Sequence, residues 1–209
     1  MWDLKSRSKK YVLQGHSSWV SSLVKLENDE IASGSGDKSI IIWDLKKRTK
    51  KYVLEGHSGP IYSLLKLEND EIVSGSGDKS IIIWDLNSRS KKFVLEGHLG
   101  GVYSLLKLEN DEIASGSSDN SIIVWDLKRR SKKYVLQGHS SSVWSLVKLE
   151  NDEIASGSWD KSIIVWDLKS RSKKYVLQGH SGTVFSLIKL ENDEIASGSE
   201  DKSIIIWGF

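Results

Sequence analysis

The apolar residues of this chain fall in short bursts separated by turn-forming residues, and no stretch is long enough to show a helical period. Val20 to Leu26 reads as a first strand, with Asn28-Asp29 at the turn that follows. Glu30 to Ser35 is a second strand, alternating so that Ile31, Ser33 and Ser35 share one face. A Gly36-Asp37-Lys38 turn leads to Ser39 to Trp43, whose unbroken isoleucine run predicts a strand covered on both faces. Lys50 to Leu54, ending in Tyr-Val-Leu, is the fourth.

The same block then recurs. Gly-His stands at Gly15-His16, Gly56-His57, Gly97-His98, Gly138-His139 and Gly179-His180, always 41 residues apart. Trp-Asp keeps the same step at Trp2, Trp43, Trp84, Trp125 and Trp166, while Trp207 is followed by Gly208. One domain over residues 1–209, with units starting at Gly15, Gly56, Gly97, Gly138 and Gly179, leaves no room for a linker or a second domain. A four-stranded sheet cannot hide both faces alone, but sheets stacked around an axis cover one another and leave only short edges.

The period, the Gly-His, the Ser-Gly-Ser-x-Asp turn and the terminal Trp-Asp together resemble the WD-repeat propellers, across essentially the whole chain. The resemblance implies an all-β propeller of five four-stranded blades. Members most often close with seven blades, so five must open each wedge to about 72° instead of about 51°. Lys9 to Gln14 is a fourth strand without its first three, and the last unit supplies three strands ending at Trp207. By the resemblance, the N-terminal strand pairs with Ser203 to Trp207 and completes the last blade. The alternative is an open five-blade unit that shares a ring with a second chain, because near-identical units specify register weakly and allow a homodimer through exchanged strands.

The resemblance also assigns a buried hydrogen-bond chain from Trp through Ser and His to Asp in each blade. The sets are His16, Ser33, Asp37 and Trp43; His57, Ser74, Asp78 and Trp84; His98, Ser115, Asp119 and Trp125; His139, Ser156, Asp160 and Trp166; and His180, Ser197, Asp201 and Trp207. A buried indole N–H, hydroxyl and carboxylate each need a partner, and a linear network supplies all three. Read instead as hydrolytic triads, these sets would be five copies around a ring, whereas catalysis needs one preorganised constellation with an oxyanion hole. No enzymatic role is expected.

Composition narrows the partners. The 38% apolar content fits a globular domain, and 30 Lys and Arg nearly balance 28 Asp and Glu, so no long-range field selects nucleic acid or a membrane. The basic segments Lys5 to Lys10 and Lys169 to Lys174 are expected to interleave with acidic groups such as Glu27, Asp29 and Glu30, which share their end of the propeller. Cysteine is absent, and the histidines fall one per blade, so neither a metal site nor a cofactor is expected. Gly34-Ser35-Gly36 lacks the following helix that a phosphate loop needs. The absence of cysteine and of a long apolar run fits a cytoplasmic protein.

The units differ in three columns. Three residues after each histidine stand Trp19, Pro60, Gly101, Ser142 and Thr183; two further on stand Ser21, Tyr62, Tyr103, Trp144 and Phe185; before each turn aspartate stand Gly36, Gly77, Ser118, Trp159 and Glu200. Six of these fifteen are aromatic against 9% in the chain, although drift at exposed positions would favour polar residues. Core aromatics should recur in every unit, as Tyr11, Tyr52, Phe93, Tyr134 and Tyr175 do. By the resemblance, the three columns point to the upper face around the central channel, where partners dock. The expected function is therefore a scaffold that binds a protein or peptide through Trp19, Tyr62, Tyr103, Trp144, Trp159 and Phe185, with Glu200 the acidic member. A lectin stacking sugars on its rings is the alternative, but it would need similar pockets in every blade. A recently amplified or engineered repeat scaffold without a natural ligand would share this pattern.

Overall fold

The computed structural model describes residues 2–3, 8–191 and 193–208, with side chains from Lys10 onward. Lys5, Ser6 and Arg7 of the Lys5 to Lys10 segment lie outside the described residues. Among the described residues every regular element is a strand. The first blade runs Val20–Lys25, Glu30–Ser35, Ser39–Asp44 and Thr49–Glu55, paired antiparallel in chain order. Three further four-stranded sheets repeat it, and the fifth holds three strands, Val184–Lys189, Glu194–Ser199 and Ile204–Gly208.

Turn chemistry sets the register. Asn28 and Asp29 both take positive φ, 53° and 60°, as do Asn69-Asp70, Asn110-Asp111 and Asn151-Asp152. Two consecutive left-handed residues match the twist of a tight hairpin, and Asn and Asp tolerate that region best after glycine. Each of these hairpins therefore pairs in the same frame, with Lys25 opposite Ile31 and Lys107 opposite Ile113.

The core lies between blades. Ala32, Ile40, Ile42 and Leu54 of blade 1 pack against Ile61, Leu64, Ile72, Ile82 and Trp84 of blade 2, and the other three interfaces repeat this composition. Close approach is built on one glycine per blade. A Cβ on Gly34, Gly75, Gly116 or Gly157 would sit 2.6–2.7 Å from a methyl of Ile61, Val102, Val143 or Val184 in the next blade. The hole left by each glycine receives the first apolar side chain of the following blade.

Among the described residues the ring does not close within the chain. Successive first strands touch from Val20–Lys25 through to Val184–Lys189, but the first and last of these are not neighbours. Val20 is 49% and Leu23 65% exposed, where Ile61, Val102, Val143 and Val184 are fully buried. At the other end Ile204 is 75% and Ile206 53% exposed. The expectation that the N-terminal strand completes the last blade is thus corrected: among the described N-terminal residues Ser8–Lys9 ladders with Trp2–Asp3, and residues 10–14 lie against blade 1. Four such glycine contacts link the five blades, and the outer faces of the first and last blades stay exposed. The described residues form an open arc of five blades.

Candidate partner-binding face

Antiparallel order puts the Gly-His loops and the Gly-Asp turns at one end of every sheet, and the Asn-Asp turns at the other. The three variable columns meet at the first end. In each blade the residue before the turn aspartate donates its backbone N–H to the carbonyl of the residue three after the histidine: Gly36 to Trp19, Gly77 to Pro60, Ser118 to Gly101, Trp159 to Ser142 and Glu200 to Thr183. Those two columns are therefore one bonded pair per blade. Sizes within a pair compensate: the Trp19 indole lies across Gly36, so close that a Cβ there would be 2.5 Å from it, while Trp159 faces the small Ser142. In blade 5 the Glu200 carboxylate accepts the Thr183 hydroxyl at 2.8 Å.

The aromatic residues join across blades. Trp19 stacks on Tyr62 with centroids 5.8 Å apart, and Tyr62 meets Tyr103 edge-on at 4.8 Å. Tyr103 stacks on Trp144 at 4.2 Å and 14°, and Trp144 contacts both Trp159 at 5.9 Å and Phe185 at 5.7 Å. The six rings form one continuous row along the inner rim of all five blades. Trp19, Trp159 and Phe185 are about half exposed, Tyr62, Tyr103 and Trp144 are partly covered by their neighbours, and none belongs to an inter-blade core. The indole N–H of Trp144 is buried without a hydrogen-bond partner among the described residues. Burial raises the Tyr62 hydroxyl pKa, with the nearby Tyr103 adding to the effect.

One member of this face escaped the sequence reading. Leu99 is 83% exposed beside the third Gly-His, where the other units carry Ser17, Ser58, Ser140 and Ser181. The signal was present as a single departure in an otherwise constant column. Ser21, the one non-aromatic residue of its column, instead donates its hydroxyl to the carbonyls of Gly34 and, across the blade boundary, Ile61.

Beneath the face, the five networks take the geometry of a hydrolytic triad. His16 Nδ1 is 2.8 Å from the Asp37 carboxylate and Nε2 is 2.7 Å from Ser33 Oγ, and the other four sets match within 0.1 Å. Here the serine is not open to a substrate. Ser33, Ser74, Ser115, Ser156 and Ser197 are at most 2% exposed, and each also accepts an indole N–H, from Trp43, Trp84, Trp125, Trp166 and Trp207, at 2.7–2.8 Å. Burial lowers the His57 pKa against the pull of Asp78. Burial opposes ionisation of Asp78, yet hydrogen bonds from the Ser80 hydroxyl and amide and from His57 hold its carboxyl down at about 2. Asp37, Asp119, Asp160 and Asp201 are likewise held below the usual carboxylate range.

At the opposite end, the basic and acidic groups interleave. Lys46 pairs with Asp29, Lys128 with Asp111 and Lys169 with Asp152, while Lys66, Lys107, Lys148 and Lys189 each reach back to a glutamate of the preceding blade. Among the described residues no cluster of three His, Asp or Glu could hold a metal ion.

Five sheets stacked around an axis, each tied to its turn by a Trp-Ser-His-Asp chain, define a β-propeller of Trp-Asp repeats. The WD40 family model (WD domain, G-beta repeat) matches residues 7–44, 48–85, 89–126, 130–167 and 171–208, and the chain belongs to that family. The crystal structure of the WD40 β-propeller domain of Doa1 is similar over 95% of this chain and 67% of that chain, with 25% identity and a TM-score of 0.84. A search of curated proteins gives no match. WD40 propellers are generally non-catalytic scaffolds for protein interaction.

Proposed function

We propose that this chain is a non-catalytic scaffold that binds a protein or peptide segment along the aromatic row. The observation that carries the reading is the continuity of Trp19, Tyr62, Tyr103, Trp144, Trp159 and Phe185, six rings supplied by positions where the repeats differ. Rigid aromatic side chains bury much area for little lost rotamer freedom, which suits them to anchor a partner. A row running across five blades offers an extended groove-like surface, suited to a peptide lying along it, with Leu99 and Glu200 on the same face. The buried indole N–H of Trp144 offers a donor that a peptide carbonyl could satisfy if the rings part on binding.

Selection from a displayed peptide library tests this. Peptides enriched on the native chain should lose at least tenfold in affinity on a Trp19→Ala, Trp159→Ala variant, because each deleted ring removes a half-exposed anchor. The melting temperature should change little, since neither ring lies in an inter-blade core. Peptides that bind native and variant chains equally well would contradict the assignment.

A further inference from the structure

We infer that the two open ends of the arc are complementary halves of one more blade–blade interface, and that their occupant is a second copy of this chain, docked head to tail. The argument rests on the four interfaces inside the chain, which show what a fifth requires. Each inner interface places a valine or isoleucine of the following blade in the hole beside a glycine. At the C-terminal end that hole is empty: a Cβ built on Gly198 meets only Ser186 Cβ, at 3.9 Å. At the other end the matching side chain, Val20, stands exposed with Leu23 beside it.

The polar contacts match as well. The Ser22, Ser104 and Ser145 hydroxyls accept the backbone N–H of Leu64, Leu146 and Leu187 in the next blade. In the same frame, Ser186 of one copy would receive the N–H of Leu23 from another. Glu27, Glu68, Glu109 and Glu150 each pair with the lysine 39 residues later, and the next pair in the series is Glu191 with Lys25 of the second copy.

The missing fourth strand of blade 5 is already in place for this. Tyr52 of the fourth strand of blade 1 donates its hydroxyl to the Leu86 carbonyl of blade 2 under the Arg89 guanidinium. Tyr11 does the same to the Leu45 carbonyl under Arg48. Residues 11–14 thus occupy the position of a fourth strand on blade 1 although the blade that should own it is absent, and they flank an apolar groove with Val20, Leu23, Ile31 and Trp43 on its floor. The three-stranded blade 5 of another copy fits that groove. By the register Ser39↔Glu55, Ile40↔Leu54, Ile41↔Val53 and Ile42↔Tyr52, its Ser203, Ile204, Ile205 and Ile206 would pair with Gln14, Leu13, Val12 and Tyr11. A heterologous contact of this kind builds a closed ring or a longer stack.

Light scattering on the full chain tests the inference. The native protein is expected at twice 23.5 kDa or more, and Leu23→Asp at 23.5 kDa with an unchanged circular dichroism spectrum, because Leu23 is exposed in the single chain. A native mass of 23.5 kDa at all concentrations, or an assembled Leu23→Asp variant, would overturn it. Should that variant fail to fold, the chain has no cysteine of its own, so Val20→Cys combined with Gly198→Cys gives a second reading. A disulfide between chains supports the docking; a disulfide within one chain, or none, refutes it.

Discussion

Ser115 shows how one small side chain can organise a blade. Its hydroxyl accepts the Trp125 indole N–H at 2.7 Å and lies 2.7 Å from His98 Nε2, whose other nitrogen faces the Asp119 carboxylate at 2.8 Å. All four groups are satisfied when the indole N–H donates to the serine, the serine hydroxyl to Nε2, and Nδ1–H to the carboxylate. Replacing Ser115 by Ala would leave a buried indole N–H and a buried imidazole nitrogen without partners, and burying unsatisfied groups of this kind costs about 1–3 kcal/mol each. Urea unfolding should therefore show a loss of about 2–4 kcal/mol for Ser115→Ala. A loss below about 0.5 kcal/mol would mean the network does not hold the blade.

At the scale of the element, the network ties strands to turns. The Asp78 carboxylate accepts from the Ser58 and Ser80 amides and the Ser80 hydroxyl, so one side chain fixes both loops at the upper end of blade 2. This makes the fold acid-sensitive. With Asp78 near 2 in the fold against 3.8 ordinarily, the unfolded chain binds more protons between those values. Its contribution, about 2 kcal/mol, is present above pH 4 and disappears as pH falls toward 2. His57, whose folded pKa lies below 6.5, acts in the same direction, with its contribution beginning to fall as pH drops through 6.5. Urea midpoints should fall from pH 7 to pH 3, and Asp78→Asn should narrow that difference; a pH-independent midpoint would contradict the account. These strands were legible in the sequence because alternation and Asn-Asp turns mark their limits: Glu30–Ser35 falls where the pattern put it, and the others agree within one residue at each end. The N-terminal strand was not, because residues 10–14 have the right pattern but no third strand beside them to pair with.

On the scale of the whole molecule, five near-identical units build an arc and their differences decorate one face of it. The variable columns could be read from the repeats alone, and so could the closeness of Trp144 and Trp159, which belong to one unit. The stacking of rings between blades could not, since it depends on how first strands approach one another. Closure was illegible for the same reason. Blades approach closely where Val102 or Val143 lies beside Gly75 or Gly116, a matter of packing that leaves no trace in hydrophobic periodicity. The fold similarity to the Doa1 WD40 propeller domain, at a TM-score of 0.84, spans 67% of that chain. The central claim is that sameness builds the scaffold while its few bulky differences bind. Oxidative footprinting of the chain, free and with a library-selected peptide, tests it most directly. The account expects protection at Trp19, Trp159 and Phe185 and no change at Tyr52 and Tyr134; protection confined to the latter pair would contradict it.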